Sequence, residues 1–134
     1  MFPRIREIID PFGRRLRLSV EPHPIGAIVE FQRPDEADSP RVLLDGYGAE
    51  IVSGYIMAAR LALPHPLPDE AIDGHFAVRL RLTHEPKVAI EIGQQGAGRS
   101  LEIPAPFWDK LYAELCLVIA HARELGRRQT ERVH

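Results

Sequence analysis

The sequence predicts an α+β protein written as one unit twice, each unit running strand-strand-strand-helix, with antiparallel sheets packed on two apolar helices. Two observations predict it. Residues 15–22 read Arg-Leu-Arg-Leu-Ser-Val-Glu-Pro and residues 79–86 read Arg-Leu-Arg-Leu-Thr-His-Glu-Pro, with six of the eight positions identical at an offset of 64. The segments after each copy also come in the same order. Ala27–Gln32, Arg41–Leu44 and an apolar stretch ending at Leu61 follow the first; Val88–Ile92, Arg99–Ile103 and a stretch ending at Glu124 follow the second. A repeat of this kind decides the fold as a whole, because each half alone is too small to bury a sizeable core.

Length and composition bound the rest. The 134 residues suit one domain, 1–134, divided into a first repeat (14–63), a proline-rich linker (64–74), a second repeat (75–126) and a polar tail (127–134). A net charge of −2 gives no global attraction to nucleic acid or to an anionic membrane. The single cysteine, Cys116, excludes an internal disulfide and lies in an apolar helical run, where inert packing is the expected role. No apolar run reaches the ~20 residues of a membrane span. The start, Met-Phe-Pro-Arg-Ile-Arg-Glu, lacks the basic segment and apolar core of a signal peptide. The expectation is a cytoplasmic protein.

The elements follow from local pattern. Ile5, Ile8 and Ile9 fit a helical turn or a short strand, and Asp10-Pro11-Phe12-Gly13 ends it as a turn. Arg14 to Val20 alternates strictly, Leu16, Leu18 and Val20 on one face and Arg15, Arg17 and Ser19 on the other, which is a half-buried strand. Glu21 to Gly26 carries two prolines and reads as a turn, so Ala27 to Gln32 pairs back as a hairpin. An acidic loop over 34–40 leads to a short strand, Arg41 to Asp45. Gly46-Tyr-Gly48 breaks it. Ala49 to Leu63 has helical spacing at 51, 52, 55, 56, 59 and 63, although Gly54 leaves a strand open for 50–57. Pro64 stops the element.

The second half repeats the plan. His75 to Thr83 is a strand with Phe76, Val78, Leu80 and Leu82 inward, and Val88, Ile90 and Ile92 line the next. Gly93 to Gly98 is a flexible loop and Ser100 to Ile103 a short strand. The last helix is led in by Pro106 and carries the stripe Phe107, Trp108, Leu111, Leu115, Val118, Ile119, Ala122 and Leu125, with Gly126 as its expected C-cap. Both helices are apolar nearly all round: Glu114 is the only charge from Leu111 to Ala120, and Glu50 and Arg60 are the only charges of the first helix. Such helices must be covered on more than one side, which predicts packing on each other or on a second chain, and hence a homodimer.

Chemical signatures are few. Six histidines, at 23, 65, 75, 84, 121 and 134, form no metal-ligand spacing. No Gly-x-Ser-x-Gly elbow occurs. The 93–98 loop joins two strands and lacks Lys-Ser/Thr, so it reads as a hairpin connection and not a phosphate loop. Asp35, Glu36 and Asp38 read as solvated acids. No cofactor, metal or catalytic residue is expected. The informative feature is the basic set Arg15, Arg17, Arg41, Arg79, Arg81 and Lys87, six cations on the open strand faces against Glu30, Glu91 and Glu102. Guanidinium forks suit phosphate. The alternative is cross-strand pairing with Glu30 and Glu91, which would merely solvate the sheets.

The element order, the two Arg-Leu-Arg-Leu segments and the passage from Ser100 to Leu111 resemble the Whirly and PUR-repeat group of single-stranded nucleic-acid-binding domains, over residues 14–126. The resemblance implies helices crossing between halves and four strands per half. Three are counted here, with residues 3–9 and 62–67 as the places to supply the others. The expectation is a non-enzymatic nucleic-acid-binding or transcription-associated module with single-stranded DNA or RNA as partner. The alternative is a dimeric structural domain binding a protein partner, with no nucleic-acid affinity.

Overall fold

A computed structural model describes residues 4–96 and 98–133, and the side chains of that range up to residue 128. Met1 to Pro3, Ala97 of the glycine-rich loop and His134 of the tail lie outside the described residues. The first four strands, β1 (Arg4–Ile9), β2 (Arg15–His23), β3 (Gly26–Gln32) and β4 (Val42–Leu44), form an antiparallel sheet in chain order. Helix α1 (Gly46–Ala62) follows. A second antiparallel sheet then takes β5 (Glu70–Asp73), β6 (Ala77–Thr83), β7 (Ala89–Gln94) and β8 (Leu101–Pro104), again in chain order. A 3₁₀ turn over Ala105–Phe107 leads into α2 (Trp108–Val133). The architecture is therefore α+β, with two four-stranded antiparallel sheets and two helices.

Alternation explains the sheets. Leu16, Leu18 and Val20 are fully buried on β2, and Leu18 faces Phe31 and Val20 faces Val29 across the ladder. Leu80, Ile90 and Ile92 are fully buried on β6 and β7, with Leu82 buried opposite Ile90. A strand of either sheet thus has one apolar and one polar face. α2 lies against β1, β2 and β3, while α1 touches β3, β4, β6 and α2. One hydrophobic cluster collects side chains from both sheets and both helices, Trp108, Phe107 and Phe31 being its largest fully buried members. The Trp108 indole N–H is satisfied by the Ile103 carbonyl at 3.0 Å, so the ring is buried without an orphaned donor.

Several local expectations are corrected. Each sheet has a fourth strand beyond the three expected, the first within the expected residues 3–9 and the second outside the expected 62–67. β1 supplies it in the first half; in the second, β5 lies inside the expected linker and not at 62–67. β2 runs on through Pro22 to His23, and the chain reverses at Pro24-Ile25, because the ladder register holds Pro22 opposite Ala27 and His23 opposite Gly26. α1 begins at Gly46, three residues early, because Asp45 caps it by accepting the Gly48 N–H at 2.6 Å. Residues 50–57 are helical. α2 does not stop at Gly126: its backbone continues to Val133, through most of the expected polar tail. Gly126 is instead a close-contact position, since a Cβ on Gly26 of β3 would stand 3.3 Å from its Cα.

Charged side chains of the helices tie elements together. Glu50 and Arg60 of α1 pair with Arg123 and Asp109 of α2, and Glu114 accepts a bidentate contact from Arg6 of β1 at 2.6 and 3.0 Å. The two α1–α2 bridges join residues in opposite sequence order, so the helices are antiparallel. Arg33 is 3% exposed yet charged. Its guanidinium lies 5.2 Å from the Phe107 ring, bonds to Asp35 and Glu36, and donates to the Arg15 carbonyl of one sheet and the Glu102 carbonyl of the other. The acids at 35 and 36 are therefore partners of a buried cation, not merely solvated.

Candidate nucleic-acid interface

The six basic residues divide between two open faces. Arg15, Arg17 and Arg41 lie on the first sheet. Cross-strand register sets Glu7 of β1 opposite Arg17, and its carboxylate reaches Arg15 at 2.5 Å and Arg17 at 3.4 Å. Arg41 grips Glu30 with both fork nitrogens at 2.5 and 2.9 Å, a hydrogen-bonded pairing that also raises its pKa. All three cations of this face are partnered.

The second face differs. Arg79 and Arg81 project from β6 and form no ion pair among the described residues. Arg79 stands between Ala71 of β5 and Gly93 of β7, neither of which can offer a charge. Arg81 stands opposite Glu91, but the expected ion pair is not made. On the β5 side the nearest acid is Asp69, one residue before the strand, where no ladder bond holds it against the arginines. Lys87, in the turn after β6, is paired with Glu102 at 2.8 Å. The arrangement leaves two adjacent guanidinium groups with unused donors.

Small side chains on the neighbouring strands hollow out the surface around them. An open depression of about 490 Å³ is lined by Ala71, Ala77, Gly93 and Ser100, with Arg79 and Arg99 at its edge. A second, of about 290 Å³, shares Arg79, Gly93 and Ser100 and extends to Arg81, Asp69 and Glu91. A Cβ on Gly93 would meet only the Ser100 hydroxyl, at 3.5 Å. The trough floor is thus empty space above a sheet, accessible to an extended chain. Arg99, which sequence reasoning left out of the basic set, reaches the Asp38 carboxylate at a long 3.9 Å.

The charge balance expected of these faces changes once the register is known. Glu7 and Glu21 join Glu30 on the first face, against three arginines. Asp69 and Asp73 join Glu91 and Glu102 on the second, against Arg79, Arg81, Lys87 and Arg99. Each face is balanced, and the cationic excess counted from the strands disappears. What survives is local: the Arg79–Arg81 pair and its trough.

Other candidates stay dispersed. His23 and His75 approach to 6.0 Å between ring centroids, where the β2–β3 turn meets the β5–β6 turn. No group of three potential metal ligands occurs among the described residues. No helix there is long and apolar enough to cross a membrane. Gln94 of β7 bonds the backbone of Leu43 on both sides, accepting its N–H at 3.0 Å and donating to its carbonyl at 2.7 Å, and so locks the second sheet to the edge of β4. Neither Gln94 nor Ala71 carries a local signal; their roles exist only across strands. No protein-family model matches this chain, and no curated protein matches it.

Proposed function

We propose that this chain is a non-enzymatic nucleic-acid-binding module that holds single-stranded DNA or RNA on the open face of its second sheet. The reading takes the chain as one unit written twice, so that Arg79 and Arg81 correspond to Arg15 and Arg17. The contrast between the two pairs carries the proposal. The first pair shares the Glu7 carboxylate, and the second makes no ion pair among the described residues and lies beside a trough of small side chains. Guanidinium forks with free donors bind phosphate oxygens in bidentate fashion. The likeness to the Whirly and PUR-repeat group supports single-stranded nucleic acid as the ligand.

The chemistry sets the strength. The trough carries no aromatic side chain, so affinity comes from phosphate contact and not from base stacking, and binding tolerates sequence. Two phosphates contacted by Arg79 and Arg81 give a log–log salt slope of about −1.4, so affinity falls roughly sevenfold between 50 and 200 mM salt. Asp69, Asp73 and Glu91 at the rim oppose the polyanion and keep the affinity modest. Fluorescence anisotropy with labelled, mixed-sequence single-stranded DNA and RNA at low and moderate salt tests this. The Arg79→Ala, Arg81→Ala double variant should bind weakly with little salt dependence. Unchanged binding by that variant, or no binding by the natural chain at low salt, overturns the proposal.

A further inference from the structure

α2 carries a second apolar ridge that the fold does not use. Its core-facing stripe is Leu111, Leu115, Val118, Ala122 and Leu125, all buried. On the opposite side Lys110, Ala113, Leu117, Ala120 and Glu124 recur at intervals of three and four residues, the spacing of a helix-pairing seam. Ala113, Cys116 and Ala120 are exposed on this ridge, and Leu117 is 60% exposed. The adjoining surface of α1 adds Met57 and Leu61, at 39% and 78% exposure. The ion pairs Glu50–Arg123 and Arg60–Asp109 bound this patch at its two ends.

We infer that this ridge is the contact between two copies of the chain, whose α2 helices pack antiparallel about a twofold axis at Leu117. Three features select a second copy. The ridge is palindromic in size: Leu117 has a small residue one turn away on either side, Ala113 and Ala120, which leaves room for the Leu117 of the other copy. It is also palindromic in charge. Lys110 and Glu124 stand seven residues, two turns, either side of Leu117, so an antiparallel partner brings each Lys110 level with Glu124 of the other copy. A parallel arrangement would instead set like charges together. Finally, both charges are held in position within their own chain, so the interchain pair adds to contacts already made: Lys110 donates to the Ile9 carbonyl at 3.0 Å, and Glu124 accepts from Arg127 and Arg128, which keep it a carboxylate with a pKa of about 2. Exposed ion pairs add little affinity, so Lys110 and Glu124 set register while Leu117 and its apolar neighbours supply the attraction. A single helix seam gives a weak dimer whose population depends on concentration.

Sedimentation equilibrium of the full chain tests the inference. The mass should rise with concentration from 15.1 kDa toward twice that value. Leu117→Glu should keep the chain monomeric at every concentration while leaving its circular dichroism and thermal midpoint unchanged, since the side chain touches no core. Lys110→Glu alone should weaken association at least several-fold, and adding Glu124→Lys should restore it by reversing the pair. In a Cys116→Ser background, Leu117→Cys should cross-link copies under mild oxidation, because a residue on the axis meets itself. A natural chain that stays monomeric at high concentration overturns the inference and leaves the ridge to a different protein. So does a Leu117→Glu chain that still dimerises. None of these outcomes depends on Arg79 and Arg81, so this inference and the nucleic-acid reading fail separately.

Discussion

Replacing Ala71 with glutamate should silence the second sheet's open face. Ala71 lies directly across the β5–β6 ladder from Arg79 and diagonally from Arg81. Glu7 stands in the mirrored relation to its own arginines, directly opposite the second, Arg17, and diagonal to the first, Arg15, and it contacts both. A carboxylate introduced at 71 therefore reaches Arg79 as Glu7 reaches Arg17. Such a cross-strand pair contributes only about 0.2–1 kcal/mol to the fold, so stability should hardly move. Its effect on a polyanion is larger, because a paired guanidinium no longer releases counterions from the nucleic acid. With about two phosphate contacts reduced to one, the salt slope should flatten from about −1.4 to about −0.7, and the loss between 50 and 200 mM salt should shrink from roughly sevenfold to roughly 2.6-fold. Anisotropy titrations at several salt concentrations read the slope directly. The reciprocal change, Glu7→Ala, frees Arg15 and Arg17 and should steepen it. An Ala71→Glu variant with the natural affinity and slope would refute both the site and the reasoning from register.

Two further predictions concern stability. Gly26 has a φ of +121°, and a Cβ there would stand 3.3 Å from the Gly126 Cα. Gly26→Ala should cost about 2–4 kcal/mol, from backbone strain together with displacement of α2. Gly126→Ala should be neutral or stabilising by up to about 1 kcal/mol, because the position is mid-helix and its Cβ would lie 4.0 Å from Gly26. Urea melts of the two variants distinguish a close-contact glycine from a helix cap, which would lose stability in both. The last prediction is a pH dependence. Burial alone would raise the pKa of Asp10, but the backbone N–H groups of Arg14 and Phe12 and the Arg14 guanidinium bond its carboxylate and hold it below the ordinary 3.8. The unfolded chain therefore takes up this proton first as pH falls. Stability from Asp10 should be complete above pH 4 and lost below it, as the folded carboxyl titrates. Asp10→Ala should cost about 1–3 kcal/mol at pH 7 and progressively less as pH falls below 4; a cost independent of pH would contradict this account.

The sequence by itself determined the elements whose pattern is local. Alternation marked β2, β3, β6 and β7, because one face of each is buried and side chains change face at every residue. The stripe from Phe107 to Leu125 marked α2 for the same reason at helical period. β5 escaped notice because four residues with one buried side chain, Ile72, show no period at all. Its strand state comes from pairing with β6. The start of α1 was hidden by glycines that read as a break until Asp45 was seen to cap them.

Only the tertiary structure decided which cations are free. Arg15 and Arg79 look alike in sequence, as do Arg17 and Arg81, and nothing within a few residues of either pair tells them apart. The distinction lies on the neighbouring strands: Glu7 contacts both members of one pair, whereas Arg79 stands between Ala71 and Gly93, and Glu91 opposite Arg81 makes no ion pair with it. The buried state of Arg33 is settled the same way, by carbonyls at Arg15 and Glu102 that lie far from it along the chain and within 3.2 Å in space. Periodicity reports which face of an element is buried. Electrostatic pairing at a few ångströms depends on which residues the ladder brings opposite, and that is a property of the assembled sheet.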